Sequence, residues 1–429
     1  MVTVPRSKKA SLSRGAQAAP DSIDLADPGF WRLSAAEQAA AFARLRQLGP
    51  PAYFVERPRS LFRAERGFHA LVRHADVVAA SRTPEVFRSA PGVTTPEPAR
   101  WVRALFGDSM VNLDDPGHAR LRRVVSRAFT PRLIARVEDD IRAVAERIVD
   151  DVIAHRPDDF VTSVAAELPF QVICSMMGIP EDRRPAILAE VNHASEHTGV
   201  QRPFRRRIRL PGRGLRALAR MQGMVADLGR ERRRRPTDDL ISALVIADVD
   251  GRALSYRQLG AFFSLLLVAG VETTRNALAH GLHLLTEHPD QRALLLADPD
   301  GRLDGAVDEI IRCATPIIQF RRTVATDHTL GRAQLARGEK VVLFYGSANR
   351  DEEVFTAPDA FDITRRPNPH LGFGGGGPHF CLGAPLARQE MKALYRELFT
   401  RLPELRSVGG PELVPSSFDH RVRSLRFTF

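Results

Sequence analysis

Cysteine, lysine and long apolar runs are the scarce features of this 429-residue chain. Only Cys174, Cys313 and Cys381 occur, with no C-x-x-C spacing. That excludes a disulfide framework and a paired-cysteine zinc site, and it suits a reducing, cytoplasmic setting. The longest apolar stretch, residues 261–271, is interrupted by Ser264 and is too short to span a bilayer. Residues 1–26 are polar and basic, carrying Arg6, Lys8, Lys9 and Arg14. They are expected to be a disordered tail, neither a secretory signal nor a membrane anchor. Lysine is confined to Lys8, Lys9, Lys340 and Lys392, so arginine carries almost all of the positive charge behind a formal net of +11. Such a balance suits nucleic acid, acidic lipid or an acidic protein partner. No zinc-finger spacing or RNA-binding aromatic motif accompanies it, and no nucleic-acid binding is expected.

Proline and glycine are spread along the chain, no repeat shows, and no linker divides it, so a single domain is expected over residues 27–429. Apolar periodicity predicts helices over about 34–47, 117–129, 134–155, 164–178, 212–234, 254–286, 302–314 and 381–399. Strand-like alternation is confined to 52–72 and 320–345. The expected fold class is mainly α with small β-sheets.

Residues 371–383 read Leu-Gly-Phe-Gly-Gly-Gly-Gly-Pro-His-Phe-Cys-Leu-Gly and run into a helix-like stretch over 384–400. Backbone without side chains at Gly374 to Gly377 suits close approach to a flat macrocycle. A cysteine at a helix N-terminus gains from the dipole and N–H groups that favour its thiolate. This is the layout of a thiolate ligand to haem iron, with Cys381 as the metal ligand; the alternative is a flexible hinge and a small buried cysteine. A thiolate ligand favours O–O cleavage.

Within the 254–286 window, the apolar face Leu259, Phe262, Phe263, Leu266 and Leu267 meets Ala269-Gly-Val-Glu-Thr-Thr. Gly270 removes bulk where a ligand approaches, and Glu272 is placed to relay protons from solvent. Thr273 either back-bonds to a carbonyl or turns its hydroxyl to bound oxygen. The alternative for this string is a helix kink with an exposed acid. Glu309 and Arg312 sit at i and i+3, usually a solvated bridge. His118 and Arg122 present two cationic donors on one helix face after Asp114-Asp115-Pro116-Gly117.

Together these segments resemble the cytochrome P-450 superfamily from about Asp27 to the C-terminus. The resemblance implies a single-domain cytochrome P-450 fold holding haem b (iron protoporphyrin IX) on Cys381, with Glu272 and Thr273 as catalytic residues. It implies haem contacts from Ala269, Gly270, Phe373, Gly374 and Gly383. His118, Arg122, Arg322 and His379 would meet the propionates. The Glu309–Arg312 pair would be buried and extended by Arg365 or Arg366. Phe373 to Cys381 is eight steps where the family usually has seven, an extra glycine that some actinobacterial members share. It leaves open which glycine lies nearest the ring.

Residues 110–118, 125–132, 347–351 and 368–373 are similar to soluble actinobacterial members that hydroxylate cholesterol side chains and methyl-branched lipids. By the same resemblance Val268, Ile317, Ile318, Phe320 and Phe418 shape the substrate pocket. The expected protein is a monomeric cytoplasmic monooxygenase that hydroxylates an unactivated C–H bond of an apolar substrate: a sterol, lipid or natural product. No flavin or iron–sulfur motif is present, so electrons from NAD(P)H are expected through an external ferredoxin and its reductase. The rival readings are a haem-thiolate isomerase or peroxygenase, and a haem sensor without turnover. Arg202, Arg205, Arg206, Arg207, Arg209 and Arg213 form a cluster whose plain reading is a solvated loop; the sharper one is a lid attracting an anionic substrate or an acidic carrier protein.

Overall fold

The computed structural model describes residues 17, 18, 20, 22–56, 66–95, 109–128, 131–195, 212–246 and 254–429. Serines start two of the helices by the same device. Ser34 Oγ accepts the Glu37 N–H while the Glu37 carboxylate accepts the Ser34 N–H, opening helix Ala35–Arg46. Ser255 and Gln258 repeat the arrangement for helix Tyr256–Leu266. Each box satisfies two N–H groups that a helix start otherwise leaves bare.

The helical windows read from the sequence are realised as Ala35–Arg46, Gly117–Ala128, Pro131–His155, Glu167–Met176, Gly212–Arg234, Pro299–Ala314 and Ala384–Arg401. The 254–286 window becomes one continuous rod: Tyr256–Leu266, a π turn Leu267–Val271, then Glu272–Glu287. The periodicity missed His74–Arg82, Arg184–Ser195, Leu240–Ile246 and Pro289–Ala297. His74–Arg82 leaves a strand at Arg73 with no side-chain cap to announce it. Pro289 takes the first position of its helix, where its missing N–H costs nothing, so it starts an element that reads as a break.

The strand windows resolve into β2 (Ala52–Glu56), β3 (Arg66–Leu71), β5 (Gln319–Val324), β6 (His328–Leu330), β7 (Ala333–Leu335) and β8 (Lys340–Phe344), but strands are not confined to them: β1 (Gln17–Ala18), β4 (Phe87–Arg88) and the short C-terminal strands Arg406–Ser407, Glu412–Leu413, Val422–Ser424 and Phe427–Thr428 are too short for alternation to show. Six of them form one sheet in the order β1-β2-β3-β8-β5-β4, and β6 pairs with β7. Along β5 side chains alternate between faces, so Phe320 and Arg322 share one face and Gln319 and Arg321 the other. The main core is helical, from Val124 through Leu259 and Leu278 to Leu405. A second cluster packs Phe30, Trp31, Phe42 and Phe344 over the sheet. Ile23 and Leu25 are buried in that second cluster, so the folded body reaches back past the expected boundary at Asp27. Residues 1–16 of the expected tail, and Arg202 to Arg209 of the arginine cluster, lie outside the described residues; Arg213 lies in helix Gly212–Arg234. Among the described residues no helix is long and apolar enough to cross a membrane.

Candidate active site

Cys381 lies in a turn three residues before helix Ala384–Arg401, so the helix expected from 381 starts later. Its N–H donates to Phe373 O at 3.0 Å, folding residues 373–381 into a closed loop. The thiol is solvent-accessible yet ringed by protein. That enclosure pushes its pKa up, against the N–H groups of Gly383 and Ala384 and the charges of Arg122 and Arg388. Helix-terminal help is therefore present but outweighed; iron itself would complete the deprotonation.

The glycines divide into two sets. A Cβ on Gly375 would meet Ser81 Oγ at 2.5 Å, and one on Gly377 would meet Ser81 O at 2.2 Å, so these two are glycine because they pack onto helix His74–Arg82. A Cβ on Gly374, at φ +101°, would meet nothing closer than 3.9 Å, and one on Gly383 only Cys381 Sγ at 4.0 Å. Gly374 and Gly383 are thus the residues whose bareness faces open space beside the sulfur.

Helix Ala384–Arg401 runs alongside Glu272–Glu287: Thr274 hydrogen-bonds Glu390, and the Tyr395 hydroxyl donates to Leu278 O at 2.8 Å. The two helices run in the same sense. Following both back toward their N-termini brings Ala384, where the second helix begins, to the level of Leu267 and Val268, with Cys381 in the turn just before it. There Val268 is 58% exposed and Ala269 is exposed too, although Leu267 and Val271 on the same turn are buried. The two exposed side chains leave an apolar opening on that side of the rod.

Thr273 Oγ1 donates to Ala269 O at 2.5 Å, so of its two expected options it takes the back-bond, across the π turn. Its oxygen lone pairs remain able to accept. Gly270 does not face the opening: a Cβ there would meet Ile173 Cδ1 at 2.5 Å, and its smallness admits helix Glu167–Met176. Glu272 is buried, held by Arg275 at 2.5 Å with Arg421 at 3.9 Å. The exposed acid of the plain reading is not what forms.

The four expected cationic groups come together. Arg122 donates to Phe380 O at 2.8 Å. The His118 and His379 rings lie 4.0 Å apart, and Ser89 Oγ is 3.0 Å from His379 Nε2. Burial first, then the charges of Arg322, His118 and Arg122, push His379 down to about 3; burial likewise lowers His118. Arg322 is buried and donates to Arg321 O at 2.9 Å, and desolvation lowers its pKa. Among the described residues no carboxylate pairs with it. Asp115 lies 3.5 Å from His118 Nδ1, but among the described residues Arg122 and Arg322 have no carboxylate at ion-pair distance, a deficit that two propionates would fill, and with the accessible thiol and the bare Gly374 and Gly383 the set fits haem b.

Phe320, on the Arg322 face of β5, meets Phe418 at 5.7 Å and Tyr345 at 6.1 Å, while Ile317 bridges Asp419. Ile318 departs from the expected pocket: it points into the second core cluster with Phe344 and Val342. Phe373 lies under the Arg388 guanidinium, 4.4 Å from ring centroid to Cζ. Glu309 and Arg312 form the buried pair, joined by Arg365, not Arg366. Sequence reasoning missed Glu390. Burial pushes its carboxyl up to about 8 against the Thr274 hydrogen bond, and Oε1 has no partner among the described residues. The signal was present, since Glu390 falls on the i, i+4, i+8 stripe of Leu394 and Leu398, where an acid is out of place.

Known proteins are similar to this chain over nearly its whole length. The family description "Cytochrome P450" matches residues 98–298 and 302–402. The chain is 42% identical over 421 residues to a methyl-branched lipid omega-hydroxylase of Mycobacterium tuberculosis, covering 95% of this chain and 94% of that protein. It is 38% identical over 358 residues to a steroid C26-monooxygenase of Mycolicibacterium smegmatis, covering 82% of each. The solved Mycobacterium marinum cytochrome P450 CYP268A2 in complex with pseudoionone superposes with a TM-score of 0.87 at 41% identity, over 98% of this chain and 100% of that one. By these matches the chain is a member of the cytochrome P450 family of monooxygenases.

Proposed function

We propose that this protein hydroxylates an unactivated C–H bond of an apolar lipid, of the methyl-branched or sterol side-chain kind, using dioxygen and two electrons delivered singly by a ferredoxin. The observation that carries the substrate class is the apolar opening, with Val268 and Ala269 exposed on the rod and the Phe320–Phe418 pair on the sheet side. The names of the relatives point the same way. Bound haem supplies the oxygen activation. Cys381 would hold its iron, and Arg322, Arg122, His118 and His379 would receive its propionates. The apolar walls orient the chain of the substrate and exclude water. Thr273, its own proton given to Ala269 O, accepts a hydrogen bond from a water and holds it near the opening. Glu272 supplies that water with protons. No flavin or iron–sulfur motif occurs in the sequence, which supports NAD(P)H-fed external carriers, and three cysteines without paired spacing support a cytoplasmic setting.

The test is reconstitution with a ferredoxin, its reductase, NADH and oxygen on pseudoionone, a methyl-branched fatty acid and a sterol. Hydroxylated product that needs all four components is expected. Product formed equally well from peroxide alone would favour the peroxygenase reading. Product from none of the three substrates would overturn the substrate class.

A further inference from the structure

One face of the rod grips the C-terminal turn at three points spaced by four residues. Glu272 faces Arg421 at 3.9 Å, Asn276 Oδ1 accepts the Val422 N–H at 3.1 Å, and His280 Nε2 lies 3.0 Å from His420 O. The same turn carries Phe418 to the pocket. Its carbonyl accepts the Ile318 N–H at 2.8 Å, its N–H donates to Ser416 Oγ at 3.1 Å, and that hydroxyl donates to Asp419 at 2.6 Å. Asp419 in turn takes two bonds from Arg421, at 2.7 and 3.1 Å. A short series of polar contacts thus leads from the pocket wall to the acid.

We infer that Arg421 is a positioning residue for Glu272, through which an occupant pressing on Phe418 re-aims that carboxylate. Two guanidiniums compete for Glu272. Arg275 is three residues along the same helix and travels with it. Arg421 belongs to the turn, so its distance changes whenever the turn moves. At 3.9 Å it is an ion pair and not a hydrogen bond, the single Nε hydrogen going to Asp419, and a displacement of about 1 Å shifts that hydrogen between the two carboxylates. Nε, the Arg421 atom nearest Glu272, also donates to Asp419, so the two carboxylates share one edge of the guanidinium and motion at Phe418 reaches Glu272 directly. The functional weight of this rests on the reading of Glu272 as proton donor.

The test uses the haem-loaded protein and phenylimidazole, which fills the pocket by ligating iron through nitrogen. Infrared difference spectra, bound minus free, are expected to show a carboxylate band shift that is absent in Glu272→Gln. The shift should be lost in Arg421→Gln and in Phe418→Ala, and partly restored in Arg421→Lys. Arg421→Gln leaves Asp419 buried and unpaired, so Asp419→Asn/Arg421→Gln gives the same loss without that burden. A shift of wild-type size in either Arg421→Gln background, or none in wild type, overturns the inference. The relay reading fails separately. Wild-type product yield from pseudoionone in Glu272→Gln, beside an Arg421-dependent band, removes the relay and leaves the coupling standing.

Discussion

Replacing Glu309 by alanine should cost more than any other single change outside the iron ligand. Both Glu309 and Arg312 are fully buried. The carboxylate receives Arg312 Nε and NH2 at 2.8 Å each, Arg365 Nε at 3.2 Å on both oxygens, Asn368 Nδ2 at 3.1 Å and the Asp362 N–H at 3.0 Å. Glu309→Ala strands two guanidiniums out of water. Removing one partner of a buried pair costs about 3–5 kcal/mol. Arg312 keeps the carbonyls of Asn349, Pro358 and Ala360, which argues against exceeding that range. With a melting entropy of about 2.1 cal/mol/K per residue over 429 residues, a loss of about 4 kcal/mol lowers Tm by about 4–5 °C. The damage has a direction as well as a size. Asp362 and Asn368 lose their anchor, and they belong to the segment that leads into the Cys381 loop. Haem absorbance should therefore fall before far-ultraviolet circular dichroism does on heating, whereas in wild type the two should coincide. A Tm within about 1 °C of wild type would refute the reasoning.

Cys381→Ser should abolish the thiolate spectrum of the reduced carbonyl complex, while Cys174→Ser and Cys313→Ser keep it, because burial holds those thiols up at about 12 and about 11; the reverse pattern would reassign the ligand. Thr273→Ala should raise peroxide release per NADH severalfold with substrate affinity unchanged, and unaltered coupling would move suspicion to Thr274. Glu390, raised from 4.5 to about 8 in the folded state, binds a proton that the unfolded chain releases above pH 4.5. Its contribution is therefore greatest below pH 4.5 and is lost as pH rises toward 8, by on the order of 5 kcal/mol in all. Thermal melts of Glu390→Gln between those limits should show a shallower fall with pH than wild type, and parallel curves would deny the shift.

Local rules carried most of the secondary structure because capping serines and the 3.6-residue apolar stripe act within a turn or two. Cys381, His118, Arg122, Arg322 and His379 were legible because each belongs to a short string with a strong resemblance, and the structure brings them together. Gly270 packs against Ile173 and Ile318 joins the second core cluster, contacts hidden from the sequence because a small or apolar residue beside a pocket can face either way and only the partner helix or sheet decides. Ile173 and the Phe344 cluster made that choice. Arg421 was invisible, since its meaning depends on a contact with Glu272 from the far end of the chain.

The glycine loop is cast against two surfaces, the space beside the sulfur and the backbone of helix His74–Arg82. A mould of that kind does not travel. Grafted onto a different helix in a relative, this loop would lose the Ser81 surface against which Gly375 and Gly377 fit, and the ligand would be thrown out of register. Exchange between such proteins should succeed only when the loop and residues 74–82 are moved as one cassette, so the unit of inheritance for the iron ligand is two segments about three hundred residues apart in the chain.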